Sequence, residues 1–367
     1  MHRSRSFVLA AALAVIVPCA VAADRTADAA THPSLSGQSG TRVVRDNLDR
    51  SVAIPARVRR VLSLQPEITR LIVALGAGEN LVGIDHFLRS NDPLFPIVFP
   101  AAANLPIVSR ADYNVNLETV ARLAPDVIFA APEDQRIVRA LEDKTGIPTV
   151  ALASLGRFDR LRGEIRMLGE ILGRSGRADE ILRLYDDVLD PIRKKTSGLP
   201  PDARPRIYLA FWGEKTRTPV AYEPVDAAGG TNVAANLLPS FLGTLIASVG
   251  IERILAWDPD LILVQGNYPP SQRRVTTESF RADPRFRSIR AVRQGRVRYT
   301  FGFWNWWDPA EALVETAYLA ALFHPDLFPD FSLEKSGNAV FRAVYGRDGL
   351  FSALSDVLGC REWVHAR

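Results

Sequence analysis

The feature that most constrains this chain is a phrase written twice. Leu117-Glu118-Thr119-Val120 leads after four residues to Pro125-Asp126-Val127-Ile128, and Ile251-Glu252-Arg253-Ile254 leads after the same gap to Pro259-Asp260-Leu261-Ile262. Each copy reads as a short helix with a glutamate at its start, a Pro-Asp turn and a strand. Pro-Asp is good turn chemistry, because Pro fixes φ and Asp bonds backbone amides. One copy alone means little. Two in register, one in each half of the chain, argue for two lobes built on one plan.

Around those copies the chain alternates short apolar runs with amphipathic stretches. Val61-Leu62-Ser63-Leu64 and residues 81–84, 127–130 and 149–152 read as buried strands in the first half. Residues 207–211, 261–264 and 297–299 continue the pattern in the second. Pro66 opens a helix whose Ile68, Leu71, Ile72 and Leu75 recur at helical spacing until Gly76 stops it. Such alternation belongs to a mostly parallel sheet covered on both faces. Between the halves, residues 177–196 hold Ile181, Leu184, Tyr185, Val188 and Ile192 at helical spacing, and Pro200-Pro201 closes the stretch. About twenty helical residues span roughly 30 Å, enough to bridge two domains. Pro191 should kink this rod or mark a late break.

The first 22 residues read as an export signal: Arg3 and Arg5 precede the apolar run 7–17, and Ala20-Val21-Ala22 offers a small-x-small cleavage pattern. The run falls short of the roughly 20 apolar residues that span a bilayer. Residues 23–42 read as a flexible leader rich in Ala, Ser, Thr and Gly. Pro18 stands where a small residue precedes a lipidated cysteine, so Cys19 is expected to leave with the signal, with Cys360 then having no disulfide partner. The expected location is the periplasm. The formal charge is +4 and falls by two when Arg3 and Arg5 leave. No basic block with interleaved aromatics is present, so nucleic acid is not an expected partner. Nearly all the cations are Arg; base composition accounts for that, as does the fit of guanidinium forks to carboxylates and other oxyanions.

Taken in order, these residues resemble the periplasmic binding proteins of the vitamin B12 and ferric-siderophore ABC importers. The similarity runs from Val43-Val44-Arg45-Asp46 through Ile54-Pro55 and Arg60-Val61-Leu62, then the two echoed blocks and Gly229-Gly230-Thr231-Asn232. It continues through Asp283-Pro284-Arg285-Phe286 and Gly295-Arg296-Val297, and ends at Tyr345-Gly346. The resemblance implies an α/β fold of two doubly wound parallel-sheet lobes joined by one long connecting helix, with the ligand cleft between them. The corresponding boundaries are 43–173, 174–198 and 199–367. It also implies that Glu118 and Glu252 dock onto arginines of an ABC importer permease dimer, one acid per lobe. For each glutamate there is a plainer reading, since an acid in a helix's first turn is stabilised by about 0.3–1 kcal/mol whatever it docks to. A monomer with no cofactor of its own is expected, carrying a small-molecule metal chelate.

In open parallel sheets, ligands sit beyond the carboxyl ends of the strands. That rule nominates Gln65 and His86 in the first half, with Arg110 and Tyr113 just before the Glu118 helix. In the second half it nominates Trp212, Arg217, Tyr222, Asn267 and Tyr268, and the aromatic cluster of Trp304, Trp306 and Trp307 ahead of Asp308-Pro309. Flat aromatic surface suits a chelate or macrocycle, and the arginines could neutralise an anionic one. Capture of a bare metal needs convergent His, Cys or carboxylate ligands, and no two histidines are close in sequence. A ferric siderophore is the first expectation, then a corrinoid, then haem or a nickel or cobalt chelate. The competing class is a two-lobed chelatase-like or glycosyltransferase-like enzyme. The chain has no Gly-Lys pair for a P-loop, no His-Glu-x-x-His and no Gly-x-Ser-x-Gly. A sensor subunit reading the same ligand is a third option.

Overall fold

Two four-stranded parallel sheets, rather than one, organise the chain. A computed structural model describes residues 40–109, 114–131, 135–154, 156–241, 244–302 and 307–363. The export signal, the possible anchor Cys19 and most of the leader lie outside the described residues. The chain enters through a hairpin of β1 (Thr41–Arg45) and β2 (Ser51–Pro55). The first sheet comprises β3 (Val61–Ser63), β4 (Leu81–Gly83), β5 (Val127–Ala130) and β6 (Thr149–Ala151), in the order β4-β3-β5-β6. In chain order the second half supplies β7 (Arg206–Ala210), β8 (Arg217–Pro219), β9 (Thr231–Asn232), β10 (Ile246–Ser248), β11 (Leu261–Gln265) and β12 (Val297–Thr300). Four of them form the second sheet, in the order β12-β11-β7-β9, while β8 and β10 pair antiparallel apart from it. Strands β3, β5, β6 and β11 are buried along their whole length, as expected of strands covered on both faces.

The duplicated phrase folds the same way in both lobes. Leu117–Leu123 and Ile251–Trp257 are seven-residue helices, ended by Ala124 and Asp258 in the left-handed region at φ +42° and +39°. The Pro-Asp aspartate then reaches to the neighbouring strand. Asp126 accepts the N–H groups of Arg59 (2.7 Å) and Arg60 (2.9 Å) ahead of β3. Asp260 accepts that of Arg206 (2.9 Å), which opens β7. Each backbone answers in kind: Asp126 N–H meets Arg60 O and Asp260 N–H meets Arg206 O, both at 2.8 Å. The Pro-Asp turn is thus a clasp between adjacent parallel strands.

A single helix, Ser175–Thr196, connects the halves and runs through Pro191 without ending, although a proline there is expected to kink or break it. The missing N–H would have met the carbonyl of Asp187, and both residues are exposed, so water can take its place. The helix is also a core element. Tyr185 is fully buried, stacks edge-on against Phe158 and donates its hydroxyl to Pro309 O at 2.8 Å. One apolar cluster takes in Val61 and Phe129 of the first sheet, Tyr185 and Leu189 of the connector, and Leu209 and Leu263 of the second sheet. A core continuous across both lobes leaves little freedom for a wide hinge motion.

Candidate functional site

The loops leaving the carboxyl ends of β7, β11 and β12 are tied to one another by a single side chain. Gln265, the last residue of β11, accepts the Trp212 N–H at 2.6 Å and donates to Gly302 O at 2.9 Å. Trp212 has φ +59°, which is strained for a bulky residue and held only by its surroundings. Gly302, at φ +74°, leaves no room for a Cβ against Gln265. These bonds wall a cavity of about 270 Å³ lined by Trp212, Gly213, Gln265, Tyr268, Arg273 and Arg274 among others. Arg273 is fixed there, donating to Tyr268 O (3.1 Å) and Gly266 O (3.1 Å) while stacking 4.3 Å from the Tyr299 ring.

Beside this cavity stands Arg217. Its guanidinium lies 5.2 Å from the Trp212 ring and 5.3 Å from that of Phe241, and the two rings meet edge-on at 5.2 Å. No carboxylate among the described residues pairs with it. Stacking of this kind holds a guanidinium flat while leaving its N–H edge available to a planar or anionic partner.

The first lobe presents buried acids rather than free cations. Glu67, in the first turn of the helix Pro66–Ala74, accepts Ser154 N–H (2.8 Å), Ser154 Oγ (2.7 Å) and, from the other half of the chain, Trp307 N–H (2.9 Å). Burial raises its carboxyl, and burial together with the neighbouring Glu67 raises that of Glu164 further. One turn on, Arg70 is paired with Asp92 in full burial and lies in the field of Asp308 and Glu311. Burial lifts Asp85, the cap of the next helix, to about 7. Tyr268 is drawn into the same group: burial, then the Asp92 carboxylate, pushes its hydroxyl up. The β11 loop of the second lobe therefore faces the first lobe across this cluster.

The residues nominated from sequence fall into three groups. Trp212 and Tyr268 line the cavity, Arg217 stacks on the Trp212 ring without lining it, and Asn267, next to Tyr268 in the chain, is half-buried with its Oδ1 without a partner among the described residues. His86 is half-buried at the carboxyl end of β4, its N–H bonded to Ser109 Oγ at 2.9 Å. Three nominations need correction. Tyr222 is buried and its hydroxyl is bonded at 3.1 Å to Glu315, whose carboxyl burial raises to about 7. Trp307 is buried with its ring 4.9 Å from Phe158. Gln65 is buried as a helix cap, its carbonyl taking the Ile68 N–H at 3.0 Å. Each has its main surface committed to packing or capping, because strand ends in this fold are roofed by neighbouring helices. Arg110, Tyr113, Trp304 and Trp306 lie outside the described residues.

Sequence reading passed over Arg273, Phe241 and Arg70. Nothing local marks them, since each gains its role from partners brought in by the fold. Glu118 and Glu252 are both exposed, each the second residue of its seven-residue helix. A helix that leads by a tight turn into a strand runs antiparallel to it, so both acids lie at the carboxyl edges of their sheets.

A sequence profile described as "Periplasmic binding protein" matches residues 61–301. The chain belongs to the periplasmic binding protein family. It is 24% identical over 335 residues to the molybdate-binding protein MolA of Haemophilus influenzae, covering 83% of this chain and 91% of that one. A cobalamin-binding protein of Halobacterium salinarum is 23% identical over 276 residues, 72% of this chain and 69% of the relative. The solved structure of molybdate-bound MolA from H. influenzae shares the fold with a TM-score of 0.71 at 23% identity, over 84% of this chain and 98% of that one. These relatives bind solutes, and this periplasmic binding protein is a receptor, not an enzyme. Among its described residues no helix is long and apolar enough to cross a membrane.

Proposed function

We propose that this periplasmic binding protein is exported, captures an anionic metal chelate of the iron–siderophore type between its lobes, and delivers it to the permease of an ABC importer through Glu118 and Glu252. The observation that carries the ligand class is Arg217: a guanidinium stacked on Trp212 and Phe241 at the cavity edge, with no carboxylate partner among the described residues. An aromatic bed under a cation is chemistry suited to a flat, negatively charged chelate. A second reading has its own support. The cavity of about 270 Å³ is small beside the roughly 300–1,000 Å³ usual for small-molecule sites, and a relative matched over 91% of its length is named for molybdate. A tetrahedral oxyanion would use the same arginine.

Titration of the purified protein against ferric citrate, a ferric hydroxamate, a ferric catecholate, cyanocobalamin, haem and molybdate separates these readings. Trp212 reports binding by its emission. The chelate reading expects a ferric complex to bind most tightly and Arg217→Ala to weaken it by about 10- to 100-fold, the value of one or two charged hydrogen bonds. Tightest binding of molybdate selects the oxyanion reading, and tightest binding of neutral cyanocobalamin removes both.

A further inference from the structure

Five large apolar side chains stand exposed among the described residues: Val43, Ile107, Ile137, Leu238 and Val357. Two of them lie in segments hydrogen-bonded to the residues that lead into the two glutamate helices, one in each lobe. Ile107 is 41% exposed and lies in an extended segment bridged to Ile84 beside the end of β4. The next residue, Val108, takes the N–H of Asn116 at 2.9 Å, and Asn116 caps the Glu118 helix through Thr119 N–H at 3.0 Å. Ile107 is thus fastened to the start of that helix.

The second lobe ties an exposed aliphatic residue to its glutamate helix by another route. Leu238 is 87% exposed, at the tip of the excursion between β9 and β10, with Pro239 and Ser240 exposed next to it. Ser240 N–H bonds Ile246 O at 2.8 Å, and Ser248 N–H bonds Ser240 Oγ at 3.0 Å. Two residues beyond Ser248, Gly250 caps the Glu252 helix. The excursion is therefore pinned to the strand that feeds that helix.

We propose that Ile107 and Leu238 are apolar anchors for the permease dimer, one tied by hydrogen bonds to the chain leading into each docking glutamate's helix. The proposal rests on the docking role of Glu118 and Glu252 and adds what exposed carboxylates cannot supply alone. Charges at a rim set orientation and encounter rate, whereas residence comes from apolar groups that lose water at the centre of a contact. A permease with two equivalent subunits presents the same pocket twice, which fits one aliphatic side chain on each of two lobes built on one plan. A single exposed leucine would be ordinary surface; the pairing with the duplicated acids is what points to the permease.

The test places a photo-crosslinking benzoylphenylalanine at position 107 or 238 of the full chain in cells that make it, with positions 43 and 357 as exposed controls. The expected result is an adduct with a multispanning ABC permease subunit from 107 and from 238, and none from the controls. Adducts with a second copy of this chain, with lipid alone, or with equal yield from the controls overturn the proposal. In parallel, Leu238→Ser and Ile107→Ser should each lower uptake about tenfold, the scale of an interface anchor, with affinity for the solute found by titration unchanged. Repeating the crosslinks in Glu118→Arg/Glu252→Arg separates the two readings. Adducts that persist at full yield remove the glutamates but keep the anchors, and loss of the adducts only in that variant keeps both.

Discussion

Asp126 in the first lobe and Asp260 in the second both clasp the backbone of the neighbouring strand, while the described loops at the far ends of those sheets carry different side chains. The described residues of the first lobe bring the buried pair Arg70–Asp92, joined by Asp308 and Glu311 from the second half of the chain. The second brings Arg217, Arg273 and a bed of rings. Duplication is plain where the strands begin and in the paired glutamates Glu118 and Glu252; the described cleft loops carry different side chains in the two lobes. The beginnings carry backbone geometry that any parallel pair needs; the ends are where the proposed solute would sit, and there the described residues of each lobe have their own chemistry.

Several substitutions break or sharpen that contrast. The largest effect is expected at Arg70. Arg70→Met strands Asp92 in full burial beside Asp308 and Glu311, which should cost about 3–5 kcal/mol in chemical denaturation. The partly buried pair Lys215–Asp283 of the second lobe, 2.9 Å apart, leaves Asp283 with Arg285 as a second partner at 2.6 Å, so Lys215→Met should lose far less. Equal losses would mean that the lobes do not differ in this way. Next comes Arg217→Ala, which should remove solute affinity and leave the melting temperature unchanged; a drop in stability instead would make Arg217 a packing residue.

Acidity gives an intermediate effect with a definite sign. Burial holds Asp85 and Glu315 near 7 in the folded protein, against about 4 in an unfolded chain. The folded state therefore binds more protons between those values, and the stability they contribute is complete below about 4 and lost as pH rises through 7. The melting temperature should fall from pH 5 to pH 8. Asp85→Asn keeps the helix cap, because Asn caps as well as Asp, and should flatten the fall. An unaltered slope would place the titration elsewhere. The smallest effect tests the shared frame: Asp126→Ala and Asp260→Ala should each cost about 1–2 kcal/mol, and by similar amounts if the clasps are equivalent.

The frame was legible and the site was only partly so, for one reason. Apolar runs such as residues 127–130 and 261–264 state their burial locally, and the Pro-Asp phrase states its turn locally. β8 does not: Arg217-Thr218-Pro219 has no alternation, and it is strand because β10 lies beside it in register. Arg70 sits among Ile68, Leu71 and Ile72 and reads as a helical arginine on the polar side; Asp92 reaches it only through the fold of the first lobe, and Asp308 and Glu311 only from the second half of the chain. Tyr222 and Trp307 were nominated by type and loop position, and the helix Pro309–Phe323, buried along most of its length, covers that side of the second lobe.

Transport and capture can be separated in one experiment. With Glu118→Arg and Glu252→Arg introduced singly and together, uptake of the solute found by titration is measured beside its affinity for the purified protein. Each single change should cut uptake by a similar factor and the pair should abolish it, with affinity untouched throughout. Uptake that survives the double change, or affinity that falls with it, contradicts a receptor whose two lobes each present one acid to the importer.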